Sequence, residues 1–222
     1  MMDFLNVDSE TTIITFARHG QSQTNVENTV SGHLDTPLTE KGHKQGKMLA
    51  KALKNRHFDK VYSSDLSRAY DTTKYIADLQ GKEIIKDKNL RELNLGKWEG
   101  MSIEDIISTF GQEYTVVWKK DFGKFYAHDG ESTTMLYNRI TAFAEKIAKE
   151  NKGKSILFGT HACVIRVFFG GIMGLFPDKI DDYPWATNAS YSTAVYKNGK
   201  WEVLEYSVDD FMQAELKSQF EG

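Results

Sequence analysis

Apolar and polar positions follow one another in blocks along the chain, and the blocks predict strands separated by helices. Three short runs rich in β-branched, aromatic and aliphatic residues are typical of buried strands and span residues 11–17, 61–64 and 155–160. Polar side chains follow each run directly. Because active groups in open α/β sheets lie beyond the carboxyl ends of strands, these ends are the first candidates for a functional site.

Three segments carry apolar residues at helical spacing and predict amphipathic helices. The first begins after Thr39, which can cap it, and reaches about Leu53; the others span 66–79 and about 132–149. The residues expected on the buried faces are Gln45, Met48, Leu49, Ala52, Leu53, Leu66, Ala69, Tyr70, Thr73, Ile76, Ala77, Met135, Leu136, Ile140, Phe143, Ala144 and Ile147. Four lysines between residues 44 and 54 lie roughly opposite on the first helix and predict a solvated face.

The carboxyl-terminal part of the chain predicts a β-hairpin at one edge of the sheet. Its strands span 192–196 and 201–206 and flank an Asn198-Gly199 turn, and a short helix is expected near Asp209-Asp210. Strands that alternate with helices predict a three-layer α/β/α sandwich with a mostly parallel, mixed sheet. Since the chain has no repeat, low-complexity tract or Pro/Gly-rich linker, we expect residues 1–222 to form a single domain.

The region from about residue 101 to residue 130 fits this sandwich least well. It is rich in large apolar side chains: Ile106, Phe110, Tyr114, Trp118, Phe122, Phe125 and Tyr126. Single aromatic residues usually serve packing rather than ligand contact. As a group beside a polar pocket, they favour a ligand with an apolar or aromatic portion.

Composition limits the classes of partner. The 222 residues are 40% hydrophobic and 27% charged with a net charge of −3, so no global field attracts nucleic acid or acidic membranes. The single cysteine excludes an intrachain disulfide framework and fits a reducing compartment. Residues 1–6 lack a basic region before an apolar core, and no apolar run is long enough to span a membrane. We therefore expect a cytoplasmic protein without a nucleic-acid or membrane partner.

The strand ends carry a coherent set of charged and titratable residues. Arg18 and His19 follow the first predicted strand, and His161 follows the third. Arg68 lies after the second strand, in the first turn of the predicted helix 66–79. A helix N-terminus does not favour a cation, so Arg68 there indicates an anion to be held. Glu92 adds a carboxylate in a turn-prone stretch. Fixed cations beside an imidazole suit binding and attack on a phosphoryl group.

These residues and their surroundings resemble the histidine phosphatase superfamily, also called the phosphoglycerate mutase-like family. The matching text is Arg18-His19-Gly20, Asn25, Gly32, Asp35, 37–42, 63–69, Leu90-Arg91-Glu92, Gly96, 98–100, 130–132 and Thr160-His161. It runs in the family's order over most of the chain. The resemblance implies the phosphoglycerate mutase-like fold, in which residues 101–130 form a helical cover over the active site.

The resemblance also implies which residue has which catalytic role. It implies that His19 is the nucleophile that forms a phosphohistidine, that His161 is its cationic or hydrogen-bonding partner, and that Glu92 is the proton donor. The planar guanidinium groups of Arg18 and Arg68 would donate hydrogen bonds to the phosphoryl oxygens. From the residues alone, the two histidines are interchangeable. The expected substrate-binding set comprises Arg18, Gln21, Asn25, Ser31, Arg68, His161 and Ala162.

Other catalytic chemistries lack their motifs. A cysteine phosphatase needs an arginine at the sixth position after Cys163, where Phe169 stands, so the cysteine is expected to be a small buried hydrophobe. We expect no metal ligands, because no metal-binding spacing is present. His33, His43, His57 and His128 are expected to be surface or satisfied side chains. Glu99 is expected to be structural, and Glu131 to support the start of a helix.

Within the family, the chain resembles the broad-specificity phosphatases more closely than the mutases. It lacks the proline-rich continuation and long insertion that follow the mutases' tryptophan-plus-basic-pair segment, here Trp118-Lys119-Lys120. The resemblance implies a metal-independent phosphomonoesterase for small phosphorylated metabolites, which needs no cofactor and can form a homodimer. A phosphoglycerate mutase dependent on 2,3-bisphosphoglycerate and a catalytically silent phosphate-binding module are the alternatives.

Overall fold

The structure, a computed structural model, describes residues 8–218 except for the side chains of residues 113–115. The expectation about residues 1–6 and the side chain of Tyr114 fall outside the described part. The elements in chain order are β1 (Thr12–Arg18), α1 (Gln23–Glu27), α2 (Glu40–Ala52), β2 (Lys60–Ser63), α3 (Ser67–Gln80), β3 (Ile84–Lys86), α4 (Ile103–Phe110), α5 (Gln112–Lys120), α6 (Thr133–Glu150), β4 (Ser155–Thr160), α7 (Ala162–Ile172), β5 (Tyr191–Lys197) and β6 (Lys200–Val208).

Within residues 8–218, six strands form one sheet in the order β3-β2-β4-β1-β5-β6. β1 pairs in parallel with β4, and β2 pairs in parallel with both β3 and β4. β5 runs antiparallel to β1, and β6 runs antiparallel to β5 at the edge. The mixed, mostly parallel sheet and the hairpin are therefore confirmed.

The two faces of the sheet carry separate apolar cores. Phe16 and Phe158 belong to one core, whereas the adjacent Ala17 and Leu157 belong to the other, as the alternation along a strand requires. The first core includes apolar residues of α6 and α7, and the second includes those of α2 and α3. All seven residues of β1 are buried between them. The predicted three-layer α/β/α sandwich is confirmed.

The predicted helices α2, α3 and α6 are present, each within two residues of its expected ends. Thr39 caps α2 by accepting a hydrogen bond from the backbone of Gly42, and the four lysines between residues 44 and 54 are exposed. Two expected core residues, Ala52 and Met135, are instead exposed, whereas Ala50 on α2 is buried although it was not expected to be.

Other elements differ from the prediction. The expected helix near Asp209-Asp210 is a turn, followed by one 3-10 turn at Ala214–Leu216. The edge strand β3 and the short α1 were not predicted, because three and five residues are too few for a recognisable period. The helix α7, which follows β4 directly, was not predicted either: it is apolar and buried almost all round, so no polar stripe marks it.

The region expected to form a cover contains α4, α5 and a 3-10 turn at Phe122–Lys124. Ile106, Phe122 and Phe125 are buried, whereas Tyr126 is exposed. The side chain of Trp118 lies edge-on to both Phe122 and Phe125. Aromatic packing therefore attaches this region to the core. Within residues 8–218, no helix has the length and apolar character needed to cross a membrane.

Candidate active site

Two adjacent parallel strands bring the two histidines together. In the register of β1 and β4, Arg18 lies opposite Thr160, so His19 and His161 both follow directly at the carboxyl edge. The backbone amide of His19 donates to the carbonyl of Thr160 over 3.1 Å. The centroids of the two imidazole rings are 5.1 Å apart. Sheet register, rather than any loop, sets this distance.

The ring of His19 is fixed through one nitrogen. Its Nδ1 lies 2.7 Å from the carbonyl oxygen of Gly20, which can only accept, so Nδ1 carries the proton and Nε2 carries the lone pair. Burial lowers the pKa of His19 well below its usual value, and the cations Arg68 and Arg18 lower it further. The imidazole is therefore neutral at physiological pH, which is the form that a nucleophile needs.

Two buried arginines lie beside this ring. Arg68 donates from Nη1 to the carbonyl of Leu34 over 2.9 Å and from Nη2 to the carbonyl of Gly32 over 2.8 Å. Arg18 donates from Nη1 to the carbonyl of Ala186. Burial lowers the pKa of Arg18 to about 10, opposed by the negative charge of Glu92. Both guanidinium groups thus stay charged at neutral pH, and two cations in one buried place favour an anion there.

His161 is completely buried beside His19 and is not among the residues that line the cavity. Its Nε2 is 2.9 Å from the hydroxyl of Ser64. Burial lowers its pKa well below the usual value, and Arg68 is the next largest cause. Of the two roles expected for His161, the neutral hydrogen-bonding one is therefore favoured over the cationic one.

The carboxylate of Glu92 faces the same cavity and is held by two backbone amides. Leu93 donates to Oε1 over 2.9 Å, and Cys163 donates to Oε2 over 3.2 Å. The carbonyl of Glu92 is bound by His33 Nε2 and by Arg139 Nη2. A carboxylate fixed in this way has a defined position relative to the arginines and can exchange a proton with a bound ligand.

All of these groups except His161 line a cavity of about 300 Å³. The structure brings seven of the predicted site residues to its wall: Arg18, His19, Asn25, Ser31, Arg68, Glu92 and Ala162. The side-chain oxygen of Asn25 already accepts hydrogen bonds from the backbone of Ser22 and from Asn188. Its amide nitrogen is therefore the atom that supplies donors for an anion.

Of the predicted site residues, Gln21 and His161 are the two that do not line the cavity. Gln21 is bound at the start of α2 instead. Its side-chain oxygen accepts a hydrogen bond from the Thr39 hydroxyl over 2.8 Å, at the start of α2. Gly42 of that helix approaches so closely that a Cβ there would lie 2.1 Å from the carbonyl of Gln21. The hydrogen bond from Thr39 thus holds the Gln21 side chain at the start of α2, and its place in the substrate-binding set stays a prediction.

The wall of the cavity also contains residues that the sequence does not single out as ligand contacts. They are Thr24, Asn28, Thr29, Val30, Gly32, Leu95, Cys163 and Trp185. Trp118 of the cover and Trp185 lie nearly parallel, with ring centroids 6.1 Å apart. Trp185 belongs to an irregular segment after α7 and has no periodic pattern around it, so nothing in the sequence distinguished it from a packing residue.

Several neighbouring residues have structural partners. Cys163 is buried, as expected, and burial raises the pKa of its thiol well above the usual value. Glu99 accepts hydrogen bonds from the backbones of His33 and Leu95, which agrees with a structural role. Glu131 forms an ion pair with Arg139, whereas Ser132 caps α6.

The remaining expectations concern histidines and metals. The ring of His33 is satisfied by the Glu92 carbonyl; His43 is bonded to Tyr75, His57 is paired with Asp59, and His128 is partly exposed beside Asp129. In the described part of the chain, no group of three or more His, Cys, Asp or Glu side chains is arranged to hold a metal ion.

Comparison with known proteins agrees with this geometry. The family model of the histidine phosphatase superfamily (branch 1) matches residues 14–209. Phosphoserine phosphatase 1 of Hydrogenobacter thermophilus is 29% identical over 195 residues, which cover 88% of this chain and 92% of that protein. The probable phosphoglycerate mutase GpmB of an Enterobacter species is 30% identical over 189 residues, covering 85% and 86%.

Solved structures show the same fold. A mycobacterial glucosyl-3-phosphoglycerate phosphatase superposes with a TM-score of 0.80 at 26% identity, over 90% of this chain and all of that one. A phosphoglycerate mutase from Bacillus anthracis superposes with a TM-score of 0.80 at 24% identity, covering 92% of this chain and 96% of that one. Proteins named as phosphatases and as mutases are thus both similar to this chain.

Proposed function

The chain belongs to the histidine phosphatase superfamily, and on that premise we propose that it hydrolyses small phosphate monoesters through a phosphohistidine on His19. The observation that carries the proposal is the state of this ring. Its Nδ1 is tied to Gly20, its pKa is held low by burial and two arginines, and its Nε2 lone pair is available. Binding alone needs no such nucleophile, so the site favours catalysis over a silent phosphate-binding module.

The first step forms the bond between His19 Nε2 and phosphorus and breaks the bond between phosphorus and the ester oxygen. The leaving oxygen takes a proton from Glu92, which takes up that proton when the anionic ester binds and then becomes a carboxylate again. In the second step, water attacks phosphorus and passes a proton to Glu92. The phosphorus–nitrogen bond then breaks, so that inorganic phosphate leaves and both side chains return to their starting states.

The charges around His19 suit these two reaction steps. Negative charge spreads over the three equatorial oxygens during phosphoryl transfer. Arg18 and Arg68 are already charged, buried and held by carbonyls of the fold, so they need little reorganisation to meet that charge. Asn25 and His161 supply neutral donors.

The cavity wall favours a hydrolase over a mutase. A phosphoglycerate mutase must hold a carboxylate or a second phosphate besides the phosphoryl group in transfer, which requires further cations. Among the described residues that line the cavity, the only lysine or arginine side chains are Arg18 and Arg68. The remaining wall combines hydroxyls and amides with Trp118 and Trp185 and suits an uncharged leaving group.

The names of the relatives guide the choice of substrates. One is named a phosphoserine phosphatase, one a probable phosphoglycerate mutase, and one a glucosyl-3-phosphoglycerate phosphatase. All three imply small phosphorylated metabolites. We extend the proposal to this class and to a single-domain, cytoplasmic enzyme that works without a cofactor.

A turnover panel tests the proposal. The purified chain is incubated with p-nitrophenyl phosphate, phosphoserine, 3-phosphoglycerate and sugar phosphates, with and without EDTA and 2,3-bisphosphoglycerate. We expect phosphate release that EDTA does not change and bisphosphoglycerate does not stimulate. His19→Ala abolishes it, whereas the matched control His43→Ala, on α2 beside Tyr75, retains it.

Two outcomes contradict the proposal. Isomerisation of 3-phosphoglycerate that depends on bisphosphoglycerate, with negligible phosphate release, identifies the mutase. Tight phosphate binding without turnover of any ester identifies the silent module.

A further inference from the structure

A buried hydroxyl lies behind His161 and has no part in the steps described above. Ser64 follows β2 directly, and its backbone amide donates to the carbonyl of Gly159 on β4 over 2.9 Å. Ser64 and His161 are both fully buried, and Ser64 Oγ lies 2.9 Å from His161 Nε2. The pairing of β2 with β4 therefore places this hydroxyl against one particular ring nitrogen.

The direction of this hydrogen bond follows from the partners that the described residues offer to the hydroxyl. The backbone amide of Leu66 donates to Ser64 Oγ over 3.3 Å, so the oxygen already acts as an acceptor there. A serine oxygen can accept twice, but among the described residues the Ser64 proton has no acceptor other than His161 Nε2, so the hydroxyl donates to that nitrogen. A neutral imidazole that accepts at Nε2 carries its proton at Nδ1.

The other ring nitrogen of His161, Nδ1, carries a proton that has no acceptor among the described residues. Nδ1 is buried and has no hydrogen-bond partner among the residues that the structure describes. Unpaired buried polar groups are rare in native folds and call for an explanation. The ring lies beside His19, where the proposed reaction brings phosphoryl oxygens.

We infer that Ser64 is a positioning residue that holds His161 in the Nδ1–H tautomer, so that the ring presents a donor to the phosphoryl group bound at His19. The part of this inference that concerns the phosphoryl group rests on the proposed function; the tautomer does not. In the opposite tautomer, Nδ1 places a lone pair against an anionic oxygen and repels it. Ser64, at the end of β2, thereby acts on the reaction at the ends of β1 and β4 through His161.

Nitrogen NMR of the histidine rings tests the tautomer directly. In the wild-type protein labelled with ¹⁵N-histidine, we expect the His161 resonances of a neutral ring protonated at Nδ1. In Ser64→Ala, we expect the Nε2–H form to gain population, because nothing then donates to Nε2. Ser63→Ala is the matched control: this hydroxyl is equally buried one residue earlier and contacts Thr73 instead.

Kinetics supply the second readout. We expect Ser64→Ala to lower kcat/KM about tenfold to a hundredfold, the equivalent of one lost hydrogen bond to a charged group. The loss is equal for good and poor leaving groups, since proton donation by Glu92 is untouched. Ser64→Thr keeps the hydroxyl and restores most of the activity, whereas Ser63→Ala behaves like wild type.

A wild-type His161 protonated at Nε2 overturns the inference, and so does a Ser64→Ala protein with an unchanged tautomer. Loss of activity in Ser64→Ala with the wild-type tautomer retained also overturns it, because the serine then acts by packing alone. The NMR result stands whatever ester the chain hydrolyses. Failure of this inference is thus distinguishable from failure of the proposed function.

Discussion

His19 and His161 lie with ring centroids 5.1 Å apart and are held through opposite ring nitrogens. The Gly20 carbonyl engages Nδ1 of His19, whereas the Ser64 hydroxyl engages Nε2 of His161. One ring is thereby left with a lone pair and the other with a donor. Parallel strands β1 and β4 set the spacing, and these two contacts give neighbouring imidazoles different chemistry.

The first prediction concerns Glu92 as the proton donor. Glu92→Gln keeps the shape of the side chain but removes its proton chemistry. We expect kcat/KM for alkyl phosphates to fall about 10²- to 10⁴-fold, with a much smaller loss for p-nitrophenyl phosphate, whose leaving group needs little protonation. Steady-state kinetics over a series of leaving groups measure the difference. Equal losses for good and poor leaving groups contradict the proton-donor role.

The second prediction concerns Arg139, which holds the loop that carries Glu92. Its guanidinium donates to the carbonyls of Asn89, Arg91 and Glu92 and pairs with Glu131. We expect Arg139→Ala to lower activity most for poor leaving groups, because Glu92 loses its fixed position. Differential scanning fluorimetry controls for stability.

Lys146→Ala, at an exposed position on α6, is the matched control for Arg139→Ala and leaves the leaving-group dependence unchanged. If Arg139→Ala affects all esters equally, the arginine does not act through Glu92.

The third prediction concerns the two tryptophans in the cavity wall, Trp118 and Trp185. Trp118 belongs to the cover and lies nearly parallel to Trp185 at the cavity. We expect Trp118→Ala to raise KM for naphthyl and phenyl phosphates about tenfold, with little change for glycerol phosphate, because a base or ring stacked on tryptophan is worth about 1–3 kcal/mol. Val116→Ala, at an exposed position on the same helix, is the control. A uniform change across the esters argues that Trp118 only packs.

The fourth prediction concerns stability against pH. Burial holds the pKa values of His19 and His161 below their usual value, so below about pH 6.5 the unfolded chain binds protons that the folded chain does not. The free energy of unfolding therefore falls as the pH decreases, by up to about 1.4 kcal/mol per pH unit for each ring, until the folded-state pKa is reached.

Urea unfolding over a series of pH values below 6.5 measures this slope. We expect His161→Gln to reduce this slope by the contribution of one titrating group. His43→Gln, on the surface of α2, is the control. A slope that His161→Gln leaves unchanged shows that this ring does not titrate differently in the two states.

Sequence reasoning located most of this site because its residues stand where apolar runs end. Arg18, His19 and His161 follow strands whose composition marks them as buried, and parallel pairing alone brings such ends together. Arg68 was identified by its position in the first turn of α3. Glu92 lies in an irregular segment, and its role came from the family resemblance.

The remaining features depend on contacts between distant segments. Gln21 follows the same strand as His19, yet its side chain is bound by the Thr39 hydroxyl at the start of α2, where Gly42 lets the backbones come close. Trp185 reaches the cavity because its segment packs on Arg166 and on the cover, through contacts that no local pattern encodes. The tautomers of both histidines likewise follow from partners on other strands or on the backbone.

The most direct test of the account is to trap the phosphorylated protein. Glu92→Gln, mixed with ³²P-labelled p-nitrophenyl phosphate and quenched rapidly, is expected to carry an acid-labile label on the peptide that contains His19. The same experiment with His19→Ala gives no label. Continued turnover without any label, or a label on a different residue, contradicts the phosphohistidine mechanism.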